Sequence, residues 1–240
     1  MKKKHESFQR LMDRLSRRHG IHAVFSDFLT MAVCALSLGR MEELYLETVG
    51  KYEKPEAYTL AEAFGALVIE MTGDGSGMVD VLGKFFEENL SHGRNGQFFT
   101  PQPICDMMAQ MNAPVKFGAR IADPACGSGR MLLAMGKLQR FASFYGADTD
   151  ANCAKMTVIN LCLNGLFGEV TWMNSLSNQF YGGWEIYPTV KGYPCIRPIT
   201  EKESYIHLKL PEKKKGQPQL KLPTPETLEK SSQQQLLFEF

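Results

Sequence analysis

The segment Ala119-Arg-Ile-Ala-Asp123-Pro-Ala-Cys126-Gly-Ser-Gly129 starts as a short apolar run, closes that run on an acid, and turns on two glycines. The next residues have helical spacing: from Gly129 to Arg140, Met131, Leu132, Met135 and Leu138 fall on one side. The segment therefore reads as strand, tight turn, helix. Working outward, Ala142 to Ala147 predicts a second buried strand, again ending on an acid, Asp148. Ala151 to Asn164 predicts a second helix and Glu169 to Met173 a third strand. A β-α-β-α-β order needs right-handed crossovers and hence a parallel sheet. The expected class is α/β, an N-terminal helical region followed by a partial Rossmann-like sheet.

Upstream, the apolar residues recur at helical spacing. Phe25, Phe28, Leu29, Ala32, Val33 and Leu36 form one such series, Leu60 to Met71 a second and Val81 to Leu90 a third. Between the last two lies Gly73-Asp-Gly-Ser-Gly77. It imitates a phosphate loop but comes after a helix instead of a strand, so it reads as a flexible linker. Residues 1 to about 22 carry seven Lys/Arg against two acids, with Phe8, Leu11, Met12 and Leu15 at helical spacing. They predict an amphipathic opening helix with a solvated basic face. Beyond Ser177 the periodicity fades, and Trp184, Ile186, Tyr187, Tyr193 and Ile196 suggest short strands or a packed loop. The domain reading is a helical region over 1–92, a cofactor-binding domain over 93–210 and a disordered tail over 211–240.

With 27 basic and 26 acidic residues, net charge neither argues for nor excludes a nucleic-acid partner. The six cysteines contain no C-x-x-C pair, so neither a disulfide framework nor a metal site is expected. The longest apolar stretch, Phe28 to Leu38, falls short of the ~20 residues that span a bilayer. A cytoplasmic protein without a membrane partner is the expectation.

Asp123, with Gly127 and Gly129 opening a helix, offers backbone amides and close approach at the carboxyl end of the sheet. About twenty residues on, Asp148 can accept from both hydroxyls of a ribose. Together these predict an adenosine-type ligand. They leave nicotinamide dinucleotides and S-adenosylmethionine both open, although Leu132 breaks the pyrophosphate fingerprint G-x-G-x-x-G.

Wider stretches narrow this. Asp123-Pro-Ala-Cys-Gly-Ser-Gly-Arg-Met-Leu132 resembles motif I of N6-adenine DNA methyltransferases, particularly the modification subunits of type I restriction systems. Gly96-Gln-Phe-Phe-Thr-Pro101 resembles their motif X, and Asp80 to Glu87 the helix before it. Gly146-Ala-Asp-Thr-Asp150 resembles motif II, Asn160 and Gly165 fit the succeeding helix, and Met173-Asn-Ser-Leu176 stands where the family has motif III. The resemblance implies an S-adenosylmethionine-dependent methyltransferase sheet, that cofactor, and DNA as partner. Its cofactor-binding residues would be Phe98, Phe99, Thr100, Pro101, Asp123, Gly127, Gly129, Asp148 and Asn174. The bland reading of Asp123 and Asp148 is strand-end capping, and that of Cys126 a small buried filler.

Two departures matter. Asn174 replaces the family's usual Asp. More severely, the family's Asn/Asp-Pro-Pro-Tyr/Phe motif, which holds the flipped target adenine, is missing, for the chain has no Pro-Pro dipeptide. No catalytic residue is therefore assigned. The residues after motif III also lack β-α units for strands four to seven. The exposed edge of the first strand would need covering by residues 184 to 209 or by another chain. The expected function is an S-adenosylmethionine-binding, methyltransferase-like protein of a restriction-modification type system, whose acceptor site comes from another subunit or from an unrecognised local sequence. The rival is a non-catalytic DNA-metabolism adaptor; a small-molecule methyltransferase fits less well. The ending Gln234-Gln-Leu-Leu-Phe238 resembles peptides that dock into the replicative sliding clamp through residues such as Gln234, Leu237 and Phe238.

Overall fold

A computed structural model describes residues 6–73, 75, 77–90 and 99–207. Phe98, Gln234, Leu237 and Phe238 lie outside the described residues, as does the expected tail.

Five helices come first: α1 (Phe8–His19), α2 (Ile21–Leu36), α3 (Glu42–Val49), α4 (Lys54–Thr72) and α5 (Val81–Asn89). Their boundaries reflect local chemistry. Ser7 caps α1 by accepting from the Arg10 amide, and Glu53 and Glu56 form a reciprocal capping box on α4 with Pro55 in its first turn. The predicted stripe Phe8, Leu11, Met12 and Leu15 is buried. Part of the basic face of α1 is already matched, since Arg14 pairs with Glu6 and Glu62, and Arg18 with Glu53 and Glu56. Phe8, Phe25, Phe28 and Phe85 meet edge-on, tilted or stacked at centroid distances of 5.1–5.2 Å.

Next along the chain are α6 (Gln102–Met111), β1 (Arg120–Asp123), α7 (Arg130–Leu138), β2 (Ser143–Asp148), α8 (Ala151–Leu163), β3 (Phe167–Asn174), β4 (Gln179–Pro188) and β5 (Pro194–Ile199). The sheet order is β1-β2-β3-β4-β5, parallel from β1 through β3 and antiparallel at the β3–β4 and β4–β5 pairings. The three predicted strands and two predicted helices are therefore present in the predicted order.

Of the two alternatives after Ser177, strands or a packed loop, the structure has the strands, one of ten residues and one of six, where sequence periodicity showed only a fading pattern. Glycines at 182 and 183 and the polar residues of β4 blur the alternation. These strands also extend the sheet beyond β3, on the side away from β1. Residues 184–199 thus do not cover the exposed edge of β1. On β1 itself Arg120 and Ala122 are exposed, and elsewhere on the chain α6 exposes Ile104, Met107, Met108 and Met111.

The helices before residue 91 share one hydrophobic core with the sheet: Phe25, Phe85 and Phe86 belong to the same cluster as Leu132, Phe144, Val170 and Ile196. Just before α5, the Met78 amide donates to Asn164 Oδ1 at 2.7 Å. On the sheet, Glu169 is buried and satisfied by the Ser204 hydroxyl and the Tyr205 amide, which brings residues 200–207 across the strands.

Candidate cofactor site

The turn after β1 is held from several sides. The Cys126 amide donates to the Ala147 carbonyl at 2.9 Å, and the Gly129 amide closes back on Cys126 O at 2.7 Å. From α8, Thr157 Oγ1 donates to Gly127 O at 2.9 Å and Asn160 Nδ2 to Ser128 O at 2.8 Å. Ser175, just past β3, donates to Pro124 O at 2.8 Å. Gly127 and Gly129 have φ of +56° and +83°, which L side chains resist. A Cβ on Gly127 would lie 2.9 Å from the Phe99 ring, and one on Gly129 3.0 Å from Thr157. Both glycines are thus required by conformation and by contact.

Asp148 reaches this turn. Its Oδ2 accepts from the Gly127 amide at 2.9 Å and its Oδ1 from the Asp150 amide at 2.8 Å. A carboxylate has about four acceptor positions, so roughly two stay open for a diol. Burial pushes the carboxyl above the ordinary aspartate range, against the two backbone hydrogen bonds that pull it down. Asp123 is raised likewise by burial, and accepts from the Ala125 amide at 3.1 Å. Phe99, Thr100, Asp123, Ala125, Gly127, Ser128, Arg130 and Met131 line one cleft.

Of the residues expected at the site, Phe99, Thr100, Asp123, Gly127 and Asp148 come together here, and Gly129 opens α7 directly behind the turn. Pro101 forms the N-cap of α6 and is exposed. Asn174 sits at the end of β3, two residues beyond the partner of Asp148. Its Oδ1 accepts from the Leu176 and Ser177 amides at 3.0 and 3.1 Å, giving it a turn-forming role that the sequence did not suggest. The Cys126 thiol is buried and pushed up by burial, as suits a filler and not a nucleophile. Trp184 packs into the core and Trp172 pairs with Tyr181 at 5.2 Å, whereas Tyr193 is exposed. Among the described residues there is no cluster that could hold a metal ion and no helix long and apolar enough to cross a membrane.

Sequence reasoning missed Asp80, Arg130, Thr157 and Asn160 as parts of this site. Asp80 is the buried N-cap of α5. It accepts from Ser128 Oγ at 2.5 Å, Arg130 Nε at 2.9 Å, Asn160 Nδ2 at 2.9 Å and the Gly83 amide at 2.8 Å. The available signal was indirect: an acid just before an apolar helix, and an arginine at the start of another.

A three-strand parallel core, with acids ending β1 and β2 and a double-glycine turn between them, defines an α/β unit of the class that binds adenosine-type cofactors. Residues 78–184 match the family model described as N-6 DNA Methylase. The type I restriction enzyme MjaIX methylase subunit of Methanocaldococcus jannaschii is 36% identical over 96 residues, covering 37% of this chain and 16% of that protein. The HindI methylase subunit of Haemophilus influenzae is 29% identical over 106 residues, covering 38% and 23%. A solved type I restriction-modification methyltransferase subunit from Streptococcus thermophilus aligns over 66% of this chain and 36% of its own, at 21% identity and TM-score 0.35. The sequence matches span 16% and 23% of the two curated relatives' own lengths.

Proposed function

We propose that this chain is the cofactor-binding part of an N6-adenine DNA methyltransferase of the type I restriction-modification kind, and that S-adenosylmethionine is its cofactor. The observation that carries the reading is the Gly127–Asp148 hydrogen bond, which places an acid with open acceptor positions beside a double-glycine turn. The residues present suit the cofactor. Asp148 would hold the ribose hydroxyls, the Gly127 turn would admit close approach, and Phe99 and Thr100 would wall the methionine end. Asn174, with its Oδ1 engaged in the turn, would face the adenine edge through its amide nitrogen. When bound, S-adenosylmethionine supplies a methyl group on a positively charged sulfur. The protein's part is to orient that group and exclude water from it.

The acceptor side, which must hold an extruded adenine, is assigned to polypeptide outside this 240-residue sequence, since no Pro-Pro-aromatic segment occurs within it. Among the described residues β1 ends the sheet, and that edge is the natural place for it, because further parallel strands would continue the sheet there.

Titration calorimetry with S-adenosylmethionine is expected to show one site, and absence of heat would overturn the reading. Radiolabelled methyl transfer to unmethylated DNA is expected only when an acceptor subunit is added. Transfer by this chain alone would refute the assignment of the acceptor side. No transfer with any co-encoded subunit would favour the adaptor reading.

The affinity is also expected to depend on pH. Ribose hydroxyls donate to Asp148, so the ionised carboxylate is the binding form. Its pKa is raised in the free protein, so affinity should be flat near neutrality and fall as pH drops through that raised value. The limiting slope is about tenfold per pH unit. Calorimetry between neutral and mildly acidic pH checks this, and an affinity that rises on acidification would contradict it.

A further inference from the structure

We infer that Arg130 is a positioning residue, a clamp that fixes the Phe99–Thr100 wall of the cleft against the Gly127 turn; this rests on the cofactor reading above.

The side chain is about nine-tenths buried, and every face of its guanidinium has a use. Nε donates to Asp80 at 2.9 Å, Nη1 to the Thr100 carbonyl at 3.1 Å and Nη2 to Glu87 at 2.8 Å. The guanidinium carbon stands 5.8 Å from the centre of the Phe99 ring. Phe99 is in turn stacked on Phe86 at 5.5 Å and lies where a Gly127 side chain would be. One residue of α7 therefore grips α5 at two carboxylates and the cleft wall at a backbone carbonyl and a ring.

The anchor at the other end is equally specific. Asp80 takes its four hydrogen bonds from α5 itself, the turn, α7 and α8. The Asn160 amide nitrogen faces two acceptors, Asp80 and Ser128 O, which fixes its orientation and leaves its buried Oδ1 unpaired. Glycine is the only residue that fits at position 83, because a Cβ there would lie 2.0 Å from Asp80 Oδ2 and 2.4 Å from Ser128 Oγ. Helix α5, the turn and α8 thus meet without slack at one carboxylate, and Arg130 transmits that rigidity to Thr100.

A planar fork is needed for this. Lysine can keep the ion pair with Asp80, yet a single ammonium cannot also reach Thr100 O and Glu87 along the same directions. R130K is therefore expected to keep its fold, with Tm within a few degrees of wild type. Its affinity for S-adenosylmethionine should fall about tenfold, and in the ligand-free protein the amides of Phe99, Thr100, Gln102, Ile104 and Cys105 should exchange with deuterium at least several-fold faster. Glu87→Gln, at the half-exposed end of the fork, should show the same pattern weakly. Faster exchange with wild-type affinity would make Arg130 a structural tie only and overturn the proposal, as would unchanged exchange. If the wild type binds no S-adenosylmethionine, the cofactor reading fails. Ligand-free exchange then still separates a real clamp (R130K faster) from none (R130K equal).

Discussion

Asp148→Ala is expected to weaken S-adenosylmethionine binding by roughly 100-fold or more, the largest loss of any single side chain at the cleft. That size comes from two lost hydrogen bonds to a charged acceptor, each worth about 1.5–3 kcal/mol. The same substitution also releases the Gly127 amide, which donates to Oδ2 at 2.9 Å, so the turn loses its tie to β2. Two effects therefore add in one direction. Against them stands a gain in folded stability, because a carboxylate held above its ordinary pKa by burial is removed. The net change in Tm should be small while the change in affinity is large. That contrast distinguishes ligand binding from strand-end capping, the bland role for this acid. Capping alone predicts a fall in Tm and no cofactor binding to lose. Asp148→Asn, which keeps one acceptor oxygen, should fall between. Calorimetry paired with thermal unfolding reads both quantities, and wild-type affinity in Asp148→Ala would remove the central support of the proposed function.

The legible and illegible parts of this molecule divide on sequence distance. Strand, turn and helix around Asp123–Gly129 are local events, driven by apolar runs, positive-φ glycines and 3.6-residue spacing, so they show in a single stretch. Asp148, the acid proposed for the ribose, is about twenty residues off but obeys a rule of topology, since such an acid must end the next parallel strand. Asp80 obeys no such rule. It is 48 residues from Ser128 and 80 from Asn160 in sequence, and nothing in its own neighbourhood says that it will be buried. An acid before an apolar helix reads as an N-cap, and it is one, for it accepts from Gly83. Its second role depends on three other elements arriving at the same point.

The course of β4 and β5 was hidden for a different reason. Alternation reports which face of a strand is buried, not which edge it joins. Placing them beyond β3 leaves β1 at the sheet's edge, with the cleft beside it. Additions to that edge would therefore border the cleft directly, while β4 and β5 lie two strands or more away. On the proposed function, the chain keeps its cofactor-side geometry internally and would meet the rest of a methyltransferase along β1.

Gly168→Ala is expected to be the most destabilising single substitution in the sheet, by about 4 kcal/mol or more, a range reached only by defects such as severe backbone strain or core disruption. Gly168 lies on β3 opposite Phe144 of β2, with φ at +150°. A Cβ there would sit 1.8 Å from the Phe144 carbonyl oxygen and 2.7 Å from its carbon and nitrogen. These are backbone atoms of the neighbouring strand, so no side-chain rotation relieves the clash. Relief requires parting β2 from β3, and the ladder that would open runs from Ser143 and Phe167 to Asp148 and Trp172. Asp148 ends that ladder, so any surviving folded protein should also bind cofactor poorly. Gly182→Ala on β4 is the control. Its nearest neighbour would be Trp172 Cε3 at 3.8 Å, an ordinary contact, and its φ is not in the positive range. Alanine is a better strand residue than glycine, so intrinsic preference predicts a slight gain at both positions. Denaturant unfolding should show that slight gain at 182 and collapse at 168. Equal midpoints for the two variants would mean that β2 and β3 are not packed backbone to backbone at this point.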